Sequence, residues 1–252
     1  MDSKRFSADY KRDMLSYLDK HFVSISSPVD IMRVFAKVEK GQRHLWLGFR
    51  AVFNFLEAMG YDAIALRVYR KALPRVSCGI DLNVPEEVSI LQSIAKLSKA
   101  PPKYIGLYNL LLDSGLRLVE AVKVVSRLDA VERLNGFCRI ALGEFRGSKQ
   151  AYYAYFSEGT YHQLQGFQAD LLSAKPATRY YKKMGYIQPK YLRKFAFDKM
   201  IELEVPESVA DFIEGRVPKR IGAKHYMVLR RQADKFYSKY ADYLVKLRLA
   251  VT

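Results

Sequence analysis

Pro189-Lys190-Tyr191-Leu192-Arg193, then Val209-Ala210-Asp211-Phe212-Ile213-Glu214-Gly215-Arg216, then Lys224-His225-Tyr226: these three pieces of the run from Ile187 to Tyr226 decide how the chain reads. A proline suits the first position of a helix, and Leu192, Ala196, Met200 and Leu203 recur at helical spacing, so a helix is predicted over 189–203. Lys190 and Arg193, three residues apart, share one of its faces. The second piece predicts a short helix over 206–214 that ends at a glycine, which sets Arg216 on a constrained turn. Tyr226 stands ten residues further on, preceded by His225. The chain has 18 tyrosines, so position and not residue type singles this one out.

Two more cations stand upstream. Gly115-Leu116-Arg117-Leu118-Val119-Glu120 is predicted to open a helix over 115–127, with Arg117 in its first turn, where a planar guanidinium and backbone donors can address a phosphate. Phe137 to Phe145 and Ala151 to Phe156 are rich in aliphatic and aromatic residues and flank Arg146-Gly147-Ser148, which predicts a β-hairpin with Lys149 at its turn. A lysine there could reach into a groove and protonate a leaving oxygen. A nucleotide P-loop is excluded. Only three residues separate Gly143 from Gly147, Ser148 intrudes before the lysine, and strand follows where a helix is needed.

The rest of the chain is mostly helical in pattern. Ser7 can cap a helix through Tyr10, Met14, Leu18 and Phe22, and Ser27-Pro28 opens a second. A third is predicted over about 43–59, ending at Gly60, and Asp62 opens a short fourth. Pro74, Gly79 and Pro85 interrupt the pattern, so a boundary is placed there. The expected organisation is a helical domain over 1–76, a linker over 77–84 and a second domain over 85–252. That domain has helices near 85–98, 102–113, 177–184 and after about 223. The fold class is mainly α with a small antiparallel β-sheet or hairpin (α+β).

The formal net charge is +16 at pH 7. Lys and Arg outnumber Asp and Glu in both parts, with +5 over residues 1–84 and +11 over the remainder. Charge spread in this way suits a long polyanion such as duplex DNA touched by both domains. An anionic membrane surface is disfavoured, since the charge is not gathered on one amphipathic helix. No run of about 18 apolar residues predicts a spanning helix. The two cysteines, Cys78 and Cys138, give neither a disulfide framework nor a zinc cluster, and no metal or cofactor is expected. The N-terminus does not resemble a secretory signal, which fits a cytoplasmic, DNA-associated protein.

Taken together, these motifs resemble the catalytic domain of the tyrosine recombinases, the phage integrase family. The run from Ile187 to Tyr226 is similar to the integrases of archaeal viruses and plasmids in particular, which implies a mobile element. The resemblance spans about 85–252; the N-terminal helices are similar to a core-binding domain only in general character. Gly115-Leu116-Arg117 with Glu120 resembles the family's first box, Lys149 its hairpin lysine, and Lys190 and Arg193 its His-x-x-Arg. Gly215-Arg216 stands where Gly-His or a tryptophan is usual. The resemblance implies that Tyr226 attacks a DNA phosphodiester to give a 3′-phosphotyrosine and a free 5′-hydroxyl, without metal or ATP. Arg117, Arg193 and Arg216 would hold the phosphate with Lys190 assisting, Lys149 would protonate the leaving oxygen, and Glu120 would orient Arg117. It also implies specific attachment-type DNA sites and self-association on DNA, from dimer to tetramer.

This chain departs from the family at three places. Lys190 replaces a histidine, so imidazole proton transfer is lost there, and Arg216 replaces another, leaving a permanent cation. The usual spacing puts the nucleophile at 225, a histidine, so the assignment to Tyr226 takes one extra residue in the loop 217–224 and ranks ahead of Tyr237 and Tyr240. His225 is then either a neighbour that helps to orient the site or a surface residue. Two rival readings are a nicking–closing enzyme of the type IB topoisomerase kind and a non-catalytic architectural DNA-binding protein. The segment after Tyr226, with Leu229, Ala233, Phe236, Tyr240, Leu244 and Leu247 at helical spacing, either packs on its own domain or docks on a neighbouring protomer.

Overall fold

Two polar side chains open helices in the N-terminal part of the chain as their capping chemistry predicts. A computed structural model describes residues 8–21, 23–75, 81–146, 149–166, 172–217 and 228–251, which fall into two compact units, Met1–Asp81 and Leu82–Thr252. In the first unit, α1 spans Ala8–His21, α2 Pro28–Ala36, α3 Gln42–Ala58 and α4 Ala63–Ala72. Ser27 is extended at the N-cap of α2, its backbone N–H donating to the Asp30 carboxylate at 2.8 Å. The Asp62 carboxylate accepts from the Ile64 N–H, also at 2.8 Å, at the start of α4. Ile31, Val34, Phe35, Leu45, Phe49 and Phe53 are buried together from α2 and α3. Each such side chain contributes on the order of 1.5–3 kcal/mol by leaving water.

The second unit is built around a helix with no polar face. In order it contains α5 (Glu87–Leu97), α6 (Pro102–Ser114), α7 (Leu118–Val125), a 3₁₀ turn (Leu128–Ala130), β1 (Glu132–Arg133), β2 (Phe137–Arg146), β3 (Lys149–Ser157), α8 (Glu158–Gln165), α9 (Ala174–Lys183), α10 (Pro189–Glu202), α11 (Glu207–Ile213) and α12 (Leu229–Leu249). Every residue of α6 from Gly106 to Ser114 is buried, as expected for a helix that is apolar around most of its circumference. The sheet is antiparallel in the order β1-β2-β3, with Phe137 opposite Ser157, Arg146 opposite Lys149, and a register shift between Ala141 and Glu144.

The α12 helix packs on its own unit. Ala233, Tyr237, Tyr240, Ala241, Leu244 and Leu247 are buried in the same core as α6. The last carbonyls of α6 have no partner within their helix, and α12 supplies two. The Tyr240 hydroxyl donates to the Leu112 carbonyl at 2.8 Å and the Tyr237 hydroxyl to the Asp113 carbonyl at 3.0 Å. The buried Asp113 carboxylate accepts from the Ser157 N–H at 2.9 Å and hydroxyl at 2.7 Å, and is ion-paired with Arg248. Buried Arg139 on β2 pairs with Glu132 and, at 2.5 Å, with Asp234 of α12.

The architecture is mainly helical with one small antiparallel sheet, as predicted. Three details differ from the sequence reading. The helix expected from 115 starts at Leu118, because Gly115 is left-handed (φ +58°) and Arg117 extended. The two-residue β1 and the α8 helix were not predicted. Among the described residues, no helix is long and apolar enough to cross a membrane.

Candidate active site

Five of the six residues singled out by sequence, Arg117, Lys149, Lys190, Arg193 and Arg216, stand on three short backbone devices. The first is the turn between α6 and α7. Gly115 reverses the chain, and Arg117 becomes the N-cap of α7. Glu120, in the first turn and 1% exposed, accepts from the Arg117 backbone N–H at 3.2 Å and from its Nη1 at 3.0 Å. One carboxylate thus caps the helix and orients the guanidinium. Arg117 Nη1 also donates to the Gly215 carbonyl at 2.9 Å, which ties this turn to the end of α11.

That end is the second device. Gly215 adopts φ +72°, and the Arg216 N–H returns to the Asp211 carbonyl at 2.8 Å. A side chain is excluded at 215 because a Cβ there would lie 2.8 Å from the Ala151 Cβ of β3. Next to this contact, Arg216 forms an isolated antiparallel bridge with Lys149. Lys149 is therefore the first residue of β3, exposed and paired with Arg146, and its backbone runs beside that of Arg216. The Arg216 guanidinium lies over the Phe197 ring, 5.0 Å from its centroid.

The third device is the start of α10, where Gln188 caps and Pro189 opens the helix. Lys190 is exposed with its Nζ 4.2 Å from the Tyr191 ring centroid. Arg193, one turn on, is buried. Arg117, Lys190 and Arg193 line one cleft of about 420 Å³, together with Leu116, Leu118, Thr178, Gln188 and Pro189. Arg193 Nη1 and Nη2 are buried without a hydrogen-bond partner among the described residues. A buried guanidinium with both terminal nitrogens unpaired has the N–H groups to receive an anion.

One group escaped the sequence reading. Glu214, 0% exposed, lies among the arginines, with its Oε2 2.8 Å from Arg216 Nη2 and 3.5 Å from Arg193 Nε. Asp211 is a second partner of Arg216 at 3.6 Å. Burial pushes the Glu214 carboxyl up to about 7; Arg193, Arg216 and Arg117 pull it down, and Asp211 pushes it further up. Burial also lowers Arg193 to about 10, against the pull of Glu214 and helped by Arg117 and Arg216. The only sequence signal was a pair of acidic residues in an otherwise apolar run ending at a glycine.

Tyr226 and His225 lie outside the described residues. Tyr237 and Tyr240 lie within them and are fully buried, with hydroxyls engaged by α6 carbonyls and burial holding both well above the usual phenol range. Neither can present its oxygen to a DNA backbone in this fold. No cluster of metal-ligating side chains occurs among the described residues.

A buried arginine, two partly exposed guanidiniums and a hairpin lysine are thus set in a helical unit with a small antiparallel sheet. Residues 82–243 match the family model described as archaeal phage integrase, and the chain belongs to that family. Among solved structures, it is similar to the integrase from mycobacterium phage Brujita, with TM-score 0.46 and 12% identity over 93% of this chain and 87% of that one. It is also similar to the XerH site-specific recombinase bound to its difH substrate in a pre-cleavage complex, with TM-score 0.40 and 13% identity over 94% of this chain and 88% of that one. No curated protein matches the chain.

Proposed function

We propose that this integrase cleaves and rejoins duplex DNA at specific sites through a 3′-phosphotyrosine formed by Tyr226. The phenol oxygen of Tyr226 bonds to the scissile phosphorus, the bond from phosphorus to the 5′-oxygen breaks, and the phenolic proton leaves. Lys149 donates a proton to the departing 5′-oxygen. Arg117, Arg193 and Arg216 hold the non-bridging oxygens and stabilise the added negative charge, with Lys190 assisting. The energy of the broken bond stays in the new ester, so the reverse attack by a 5′-hydroxyl needs no ATP.

The observation that carries this reading is Arg193, buried in a cleft shared with Arg117 and Lys190 with both terminal nitrogens unpaired. The unavailability of Tyr237 and Tyr240 supports Tyr226 as nucleophile. His225 is taken as a neighbour that helps to orient it. The N-terminal helices over 1–76, followed by a linker over 77–84, serve as a second DNA-binding module, in keeping with positive charge in both parts. Exchange between two duplexes requires self-association on DNA, from dimer to tetramer. The protein acts in the cytoplasm on the DNA of its host or element.

The test is incubation with nicked duplexes carrying candidate sites, which trap the covalent intermediate by losing the short 5′-hydroxyl strand. The expected product is a protein–DNA adduct whose peptide maps to Tyr226. It disappears in Tyr226→Phe while DNA affinity is retained. An adduct on another tyrosine, or none on any site, refutes the assignment.

A further inference from the structure

A fully buried carboxylate beneath a cluster that binds an anion is an expensive arrangement. Ionised, it repels the substrate, and its own desolvation is unfavourable. Glu214 touches or adjoins every element that brings an arginine to the site. Arg193 reaches it from α10 and Arg216 from the turn two residues on. The chain at Gly115, two residues before Arg117, passes so close that a Cβ there would fall 2.8 Å from Glu214 Oε1. Arg117 in turn is tied to the carbonyl of the very next residue, Gly215. Among the described residues, neither Glu214 oxygen has an aligned hydrogen-bond partner. Charge alone holds it to the two guanidiniums. Arg193 meets it through Nε, which leaves Nη1 and Nη2 for the cleft.

We infer that Glu214 is a positioning residue of the phosphate site: its carboxylate anchors Arg193 by Nε and Arg216 by Nη2, so that their remaining N–H groups meet the scissile phosphate together with Arg117. The inference rests on the strand-cleavage reading above and adds to it a residue that touches no substrate. Anchoring requires the ionised carboxylate. The groups facing Glu214 are Arg193 from α10, Asp211 and Arg216 from α11 and its exit, Arg117 backed by Glu120 from the α6–α7 turn, and Tyr240 from α12. Of these, Arg193, lowered to about 10, stays charged across neutral pH, and Tyr240, pushed well above the usual phenol range, stays neutral. Glu214, pushed up to about 7, changes charge there. The site is set above that pH and loosens as pH falls through it. A bound phosphate, being a like charge, moves the transition upward.

The experiment measures single-turnover adduct formation on a nicked duplex between about pH 5.5 and pH 9 for wild type, Glu214→Gln, Glu214→Asp and His225→Asn. Wild type is expected to lose about tenfold in rate per pH unit on the acid side of a single transition at or above about 7, the slope of one required deprotonation. Glu214→Gln should be slower at pH 8 by about tenfold to a hundredfold and lack the acid limb, as for other residues that orient a ligand from behind. Glu214→Asp should keep the limb at a displaced pH. His225→Asn, whatever its own rate, should keep the limb where it is. A limb that survives in Glu214→Gln, or vanishes in His225→Asn, overturns the inference. Should Glu214→Gln fail to fold, wild type and His225→Asn suffice, because a flat profile in either overturns it. Absence of any wild-type adduct at every pH defeats the strand-cleavage reading itself, and this inference with it; an adduct with unchanged profiles defeats the inference alone.

Discussion

Gly215→Ala is the substitution whose cost can be worked most directly from the geometry. The residue sits at φ +72°, where an L side chain crowds its own carbonyl at a cost of roughly 1–2 kcal/mol. The new Cβ would also lie 2.8 Å from the Ala151 Cβ, 3.1 Å from the Ala151 Cα and 3.5 Å from Leu116 Cδ2, all in packed core. Overpacking of that kind costs about 1–3 kcal/mol, so the total expected is about 2–5 kcal/mol. Gly143→Ala isolates the first contribution, since Gly143 has φ +61° and nothing within 4 Å of a Cβ. Urea denaturation of the full chain, followed by far-UV circular dichroism, gives both values, while fluorescence of the single tryptophan, Trp46, follows the N-terminal unit separately. Adding Ala151→Gly to Gly215→Ala should recover part of the loss, because the closest contact goes but the one to the Ala151 backbone stays. Cleavage should suffer more than stability, since the shift displaces the carbonyl that holds Arg117 and the bridge between Lys149 and Arg216. If Gly215→Ala and Gly143→Ala agree within about 0.5 kcal/mol, the ordinary scatter of harmless substitutions, the close approach to β3 is refuted.

Tyr237→Phe and Tyr240→Phe each remove one hydrogen bond to an α6 carbonyl and should cost about 1–2 kcal/mol, with adduct yield unchanged. A folded variant of either that forms no adduct would reassign the nucleophile. Asp113→Asn leaves Arg248 beside a neutral group and weakens the tie between α6, β3 and α12. Loss of about 3–5 kcal/mol in urea denaturation is expected, and an unchanged midpoint would show that the pair contributes nothing.

Most helices were legible because their signals are local. Ser27-Pro28, Asp62 and the glycine after α3 act within a few residues, and so does the apolar stripe of α10. The α8 helix escaped notice because Glu158–Gln165 offers few apolar residues and follows β3 with no turn between them. Its signal was Ser157, which ends the strand and accepts from the Thr160 N–H at 3.2 Å as the N-cap. The cations of the site were found only as a set, for each alone reads as a solvated surface charge. What the sequence hid was burial. Arg193 reads as one face of an amphipathic helix, yet it is enclosed. Glu214 reads as the polar end of a short helix, yet it is fully buried, with the α6–α7 turn close against it at Gly115.

Two of the three departures from the family pattern, at Lys190 and Arg216, acquire a joint meaning from this burial. Where imidazoles are usual, this chain has an amine at Lys190 and a guanidinium at Arg216. An imidazole gains a positive charge as pH falls through neutrality, and a carboxyl with its transition near 7 loses a negative one, so each raises the local charge by one. The electrostatic change is equal in sign and size but differs in place. An imidazole at the cleft delivers its charge to the phosphate, whereas Glu214 delivers it behind the guanidiniums and gives up their anchoring as it does so. Acidification should therefore hold or strengthen the grip on DNA while slowing the chemistry. Affinity and cleavage rate moving in opposite directions below neutral pH mark a carboxylate that positions; a histidine acting on the phosphate, needed in one protonation state for both, would move them together.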